Sequence, residues 1–175
     1  KVRPAEADAM YAGIVIDTQN FTNQTGVRTF EAAAYLRRSG ADITRVRKLF
    51  RENMVDYQAK AEAVRLAEVY MDSFAISVCP SDGLDSPTII GAQAANELLE
   101  IRGIKASVVL TPYNGVIYYS ARSIDEVNVQ VMMEKLGGGG HRTIAGAQME
   151  GVSIEGAKER LKEVICQMME EGEVS

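Results

Sequence analysis

At 175 residues the chain has room for one compact domain, or for a small domain and part of a neighbour. Its 46% hydrophobic and 25% charged residues are those of an ordinary soluble globular protein, and a formal net charge of −5 excludes a nonspecific coat on duplex nucleic acid, which needs a basic face. Cys79 and Cys166 stand far apart and form neither a disulfide framework nor a metal-ligand cluster, which fits a reducing cytoplasm.

No apolar run approaches the length of a membrane span. The start Lys1-Val2-Arg3-Pro4 has no signal region and no initiator methionine, so the chain is expected to be cut from a longer polypeptide. Tyr11 to Asp17 is an apolar run ending in an acid and predicts a buried strand that delivers Asp17 to its carboxyl edge. Arg28 to Arg38 carries Phe30, Ala33, Ala34 and Leu36 at helical spacing and stops at Gly40, a C-terminal cap. From Thr44 to Met71 apolar residues alternate with many charges, as in one or two connecting helices, and a domain boundary is placed near Ser73.

Beyond it the pattern is more regular. Phe74 to Cys79 predicts a strand, and Pro87 to Ile101 a helix with Ser86 as its cap and Gly103 past its end. Ala106 to Thr111 and Val116 to Ala121 are joined through Asn114-Gly115, the strongest short hairpin signal. A helix over 127–136, a strand over 143–149 and an amphipathic helix over 153–170 complete the order. The fold class expected is α/β: a mixed β-sheet with packed helices, here occupying 73–175. The hairpin strands are also free, in this reading, to pair with a second copy in a homodimer.

Between the predicted 127–136 helix and 143–149 strand lies Leu136-Gly137-Gly138-Gly139-Gly140-His141, the only histidine beside four glycines. Glycine offers no packing side chain and loses much backbone freedom on folding, so the run is expected to mark a close approach to its backbone. Bare N–H groups in such a turn form a concavity for phosphate oxygens, and an imidazole adds a directional donor. A flexible connector is the plainer reading of the same glycines.

The residues then match a known pattern. Ser120-Ala121-Arg122-Ser123, Asn128-Val129, the 136–141 loop and Ala145-Gly146 resemble the C-terminal domain of DHH-family phosphoesterases. Upstream, Gly13 to Phe21 and Thr25 to Ala33 look like the end of the DHH domain itself, closest in wording to GdpP-type cyclic di-AMP phosphodiesterases. The resemblance covers nearly the whole chain and divides it into residues 1–72, the end of the DHH domain with linker helices, and 73–175, the substrate-binding domain.

What the resemblance implies is an enzyme holding two Mn²⁺ ions in its first domain and gripping a cyclic dinucleotide or short adenine nucleotide with its second. It makes Asp17 the last metal ligand and assigns phosphate binding to Arg122, Ser123, Gly137, Gly138, Gly139, Gly140 and His141; Arg28, at a helix start, is a further anion candidate. The chain departs from the family pattern in having one histidine and no Asp-His-His, so the N-terminal half of the DHH domain must be supplied from elsewhere and the chain alone is expected to be inactive or nearly so. The intact protein is expected to be membrane-anchored with this portion in the cytoplasm. Two alternatives stay open: an oligoribonuclease or adenosine bisphosphate phosphatase of the same superfamily, and a noncatalytic nucleotide-binding module. For stacking on a base, Tyr113, Tyr118 and Tyr119 are the candidates.

Overall fold

The computed structural model describes residues 2–172 and divides the chain into two compact units, Lys1–Glu52 and Asn53–Ser175. The first unit is helical: α1 (Pro4–Asp17), α2 (Val27–Arg38) and α3 (Ile43–Leu49). The strand expected over Tyr11 to Asp17 is therefore the second half of a helix. Its start explains why. Pro4 occupies the first helical position, Arg3 donates its backbone N–H to Glu6 Oε2 (2.9 Å), and Ala5, Ala7, Ala9, Met10 and Ala12 carry the helix into the β-branched residues that suggested a strand. Helix α2 ends as expected: Gly40 has φ +107° and donates to Arg37, while Ala41 donates to Leu36, a Schellman closure.

The second unit runs α4 (Met54–Arg65), β1 (Glu68–Tyr70), β2 (Phe74–Val78), α5 (Pro87–Leu98), β3 (Ala106–Tyr113), β4 (Val116–Ser123), α6 (Val129–Glu134), β5 (Gly139–Gly140), β6 (Ile144–Glu150) and α7 (Ile154–Glu170). These form one six-stranded sheet in the order β1-β2-β3-β4-β6-β5, with β2 and β3 parallel and every other pair antiparallel, so the α/β expectation holds. Val69, counted as helical in the sequence reading, belongs to β1. Compactness places α4 and β1 with the sheet, since α4 packs on α5 and β1 pairs with β2.

Asn114 (φ +51°) and Gly115 (φ +79°) close the β3–β4 hairpin with both turn residues left-handed, which suits the twist of the strands. Both hairpin strands are interior to the sheet, so neither offers an edge to a second copy; the edges are β1 and β5.

One face of the sheet buries Phe74, Val108, Leu110, Tyr119 and Ala121 against α6 and α7. The other buries Ala75 and Val109 against α4 and α5. Small residues bring those helices close: Ser107 Oγ donates to the Ala95 carbonyl (2.6 Å), and a Cβ on Gly91 would overlap Thr111 Oγ1. Ser86 sits before α5 with no side-chain cap bond, its carbonyl accepting from Ile89 (3.1 Å) instead. Helix α5 reaches across β3 and β4. Further along the same face, Tyr118, Ser120, Ile144, Gly146 and Gln148 stay half-buried or exposed.

Candidate functional site

Side chains alternate across a strand, so the pairing register tells which residues share this open face. Arg122 lies opposite Ile144, and Ile144 exchanges backbone bonds with His141 (2.7 and 3.3 Å). One row along, Ser120, Gly146 and Gly139 lie side by side; the next row pairs Tyr118 with Gln148. The face thus has a cationic and imidazole-bearing row, a row with almost no side chains, and a neutral polar row. A cleft of about 350 Å³ opens over the last two, lined by Thr88, Tyr118, Ser120, Gly138, Gly146 and Gln148 among others.

The glycines are explained differently from the sequence reading. A Cβ on Gly138 would stand 2.6 Å from Ala147 Cα, and one on Gly140, itself at φ +145°, 2.5 Å from Ala145 Cα. What approaches these backbones is the protein's own strand β6, so packing does account for two of the four. Several of the run's donors are used within the fold: Gly137 donates to Glu134 (3.0 Å), Gly138 to Met133 (2.8 Å) and His141 to Ile144, while Gly139 and Gly140 form edge strand β5. Gly139 alone combines ordinary φ with open space over its Cα on the functional face. Side chains on the same face can also make an anion contact.

Arg122 is suited to it. Its guanidinium is half-buried, with Nε donating to Asn96 Oδ1 (3.1 Å) and one terminal nitrogen to the Ala121 carbonyl (2.9 Å). Both acceptors are neutral, and burial pushes its pKa below the ordinary arginine value. A half-buried cation held by neutral acceptors keeps the capacity to pair with an anion. His141 is exposed on the same row. Arg142 is engaged elsewhere, its Nε donating to Asp125 Oδ1 (2.9 Å).

Ser123 does not join them. It lies on the opposite face, 6% exposed, and its hydroxyl donates to the Val127 carbonyl (2.6 Å), where it ties the end of β4 to the approach to α6. Of the three tyrosines, Tyr119 is 2% exposed and its hydroxyl donates to the Ala157 carbonyl (3.0 Å), while Tyr113 ends β3 at the hairpin; only Tyr118 faces the cleft.

In the first unit, Arg28 is exposed in the first turn of α2. Asp17 is exposed as the last residue of α1, ahead of Gln19, Asn20 and Phe21, all with positive φ. Phe21 is held in that strained turn by stacking on Phe30 (5.4 Å between centroids) and by its N–H to Thr18 Oγ1 (2.9 Å).

Residues 72–171 match the DHHA1 domain, more than half of the chain. The chain belongs to the DHHA1 domain family. The cyclic-di-AMP phosphodiesterase GdpP of Geobacillus thermodenitrificans is 43% identical over 173 residues, 98% of this chain and 26% of that protein. The cyclic-di-AMP phosphodiesterase PdeA of Listeria monocytogenes is 43% identical over 162 residues, 92% of this chain and 24% of that protein. This DHHA1 chain thus spans about a quarter of the length of the curated relatives it matches, and the likeness to GdpP-type proteins read from its motifs is borne out. An exopolyphosphatase-related protein from Bacteroides fragilis shares the fold, with a TM-score of 0.83 at 19% identity over 95% of this chain and 51% of that one.

DHH phosphoesterases are metal-dependent. Among the described residues no group of three or more His, Cys, Asp or Glu is placed to hold a metal ion. One exposed carboxylate at the end of α1 does not make a dinuclear centre, so the donor set present here does not fit one.

Proposed function

We propose that this chain is the substrate-gripping C-terminal portion of a cyclic di-AMP phosphodiesterase that opens the ring to the linear dinucleotide, with Arg122 and His141 receiving a phosphate at one end of the open sheet face. The observation that carries the reading is the half-buried Arg122 guanidinium, held by Asn96 and the Ala121 carbonyl on the strand register row that leads to the lone histidine. The relatives that match nearly all of this chain bear that activity in their names.

In this reading Asp17 is a single donor to a Mn²⁺ pair whose other ligands lie in sequence beyond this chain. The chain's own residues bind and orient the nucleotide: the guanidinium and imidazole neutralise nonbridging oxygens, and the Gly139–Gly146 row lets the ligand lie flat on the sheet. Two reduced cysteines support a cytoplasmic location for this portion. No helix among the described residues is long and apolar enough to cross a membrane, and the anchor we propose for the intact protein belongs to other sequence.

The test is Mn²⁺-dependent hydrolysis of cyclic di-AMP by this chain and by a version extended upstream through a whole DHH domain. Turnover by the extended form alone, yielding the linear dinucleotide, is expected. Hydrolysis of short linear oligonucleotides without action on the cyclic substrate would favour the oligoribonuclease alternative, and no turnover of either would favour a noncatalytic module.

A further inference from the structure

We infer that Gln148, beside Tyr118, is the residue that selects an adenine base on this face. The inference rests on the proposed nucleotide reading and goes beyond it by assigning the base end of the ligand. The cleft and the Arg122–His141 row have different chemistry. None of the residues lining the cleft carries a charge; the lining is a threonine, a serine, glycines, one alanine, two tyrosines and one carboxamide. A neutral cleft suits a neutral ring, and the cation stands outside it.

The register sets the span. Ile144, which marks the Arg122–His141 row, and Gln148 are four residues apart on β6, which at ~3.4 Å per residue is about 14 Å. One nucleotide laid along the strands, over the side-chain-free Gly139–Gly146 row, reaches from phosphate row to cleft.

Gln148 is exposed, and its carboxamide makes no hydrogen bond to any described residue. Its cross-strand neighbour Tyr118 offers the only aromatic ring of the cleft that is not committed to the core, since Tyr119 is buried on the opposite face. A carboxamide presents one acceptor oxygen and one donor NH₂ side by side. Adenine offers the complement, an N6 donor beside an N7 acceptor, whereas guanine presents two acceptors, O6 and N7, on that edge. One side of the amide is then unpaired with guanine.

The experiment measures binding of AMP, GMP and ribose 5-phosphate to the full chain by calorimetric titration. We expect the unsubstituted chain to prefer AMP over GMP by about five- to a hundredfold, the range of one bidentate amide–adenine pair. Gln148→Ala should bring the ratio toward one while leaving ribose 5-phosphate affinity unchanged. Gln148→Arg should reverse the preference, because a guanidinium matches the two acceptors of guanine. Equal binding of AMP and GMP, no detectable AMP binding, or a preference that survives Gln148→Ala would overturn the assignment. The phosphate reading fails separately: it falls if Arg122→Ala leaves ribose 5-phosphate binding intact, and a Gln148-dependent preference for AMP would still stand.

Discussion

Arg122 shows how much a single side chain's partners reveal. An arginine paired with a carboxylate is a structural strut, but this one donates to a carboxamide and a backbone carbonyl, neither of which neutralises its charge. Arg122→Ala is expected to weaken phosphate and nucleotide binding about ten- to a hundredfold, as for loss of charge-assisted hydrogen bonds of about 1.5–3 kcal/mol, with the fold retained. Asn96 acts through that guanidinium by fixing Nε. Asn96→Ala should therefore cost less than Arg122→Ala, and the double variant should bind no worse than Arg122→Ala alone. Titration of ribose 5-phosphate into the four proteins checks this; losses that simply add would show that Asn96 does not work through Arg122.

At the scale of elements, edge strand β5 separates folding from function within one glycine run. Gly138→Ala drives a Cβ to 2.6 Å from Ala147 Cα and should lower stability by about 1–3 kcal/mol in denaturant titration. Gly139→Ala meets nothing within 4 Å and has an ordinary φ, so stability should change by less than about 1 kcal/mol. In the proposed reading nucleotide affinity should fall nonetheless, because the methyl group would stand where the ligand lies. Equal effects of the two substitutions on stability would refute the division. The same elements show what could be read without coordinates. The Asn114-Gly115 hairpin, the Gly40 cap and the helix start at Ser153 were legible because their geometry is settled by a few neighbouring residues. Helix α1 was not, since Tyr11 to Asp17 alone cannot tell a buried strand from the second half of a helix begun at Pro4. The reason for Gly138 and Gly140 lay in β6, and the roles of Ser123 and Gln148 depended on which face of the sheet each occupies. Gln148 carried one faint signal, its even spacing from Ile144 and Gly146, but that pointed to a shared face and not to a use.

For the sheet unit as a whole, each of its two buried faces carries an acid that titrates at higher pH in the folded chain than in the unfolded one. Cys79, 0% exposed on the α4–α5 face, has its thiol pushed by burial from 9.0 up to about 11. Tyr119, 2% exposed on the α6–α7 face, has its hydroxyl pushed by burial from 10.0 up to about 12. In both cases the folded state holds a proton that the unfolded chain releases at lower pH. Their contributions are thus fully present below about pH 9 and pH 10 respectively, and are lost as pH rises through the folded values. Stability measured by urea unfolding should fall above pH 9, each group adding a slope of up to about 1.4 kcal/mol per pH unit. Cys79→Ala should flatten the part that begins near pH 9, and Tyr119→Phe the part that begins near pH 10, whatever each substitution does to stability at neutral pH. Because β2, β3 and β4 are shared by both faces, the two losses should appear in one cooperative transition monitored at either face. Unfolding curves that separate, with one face melting at alkaline pH while the other persists, would show that the sheet does not couple its two cores.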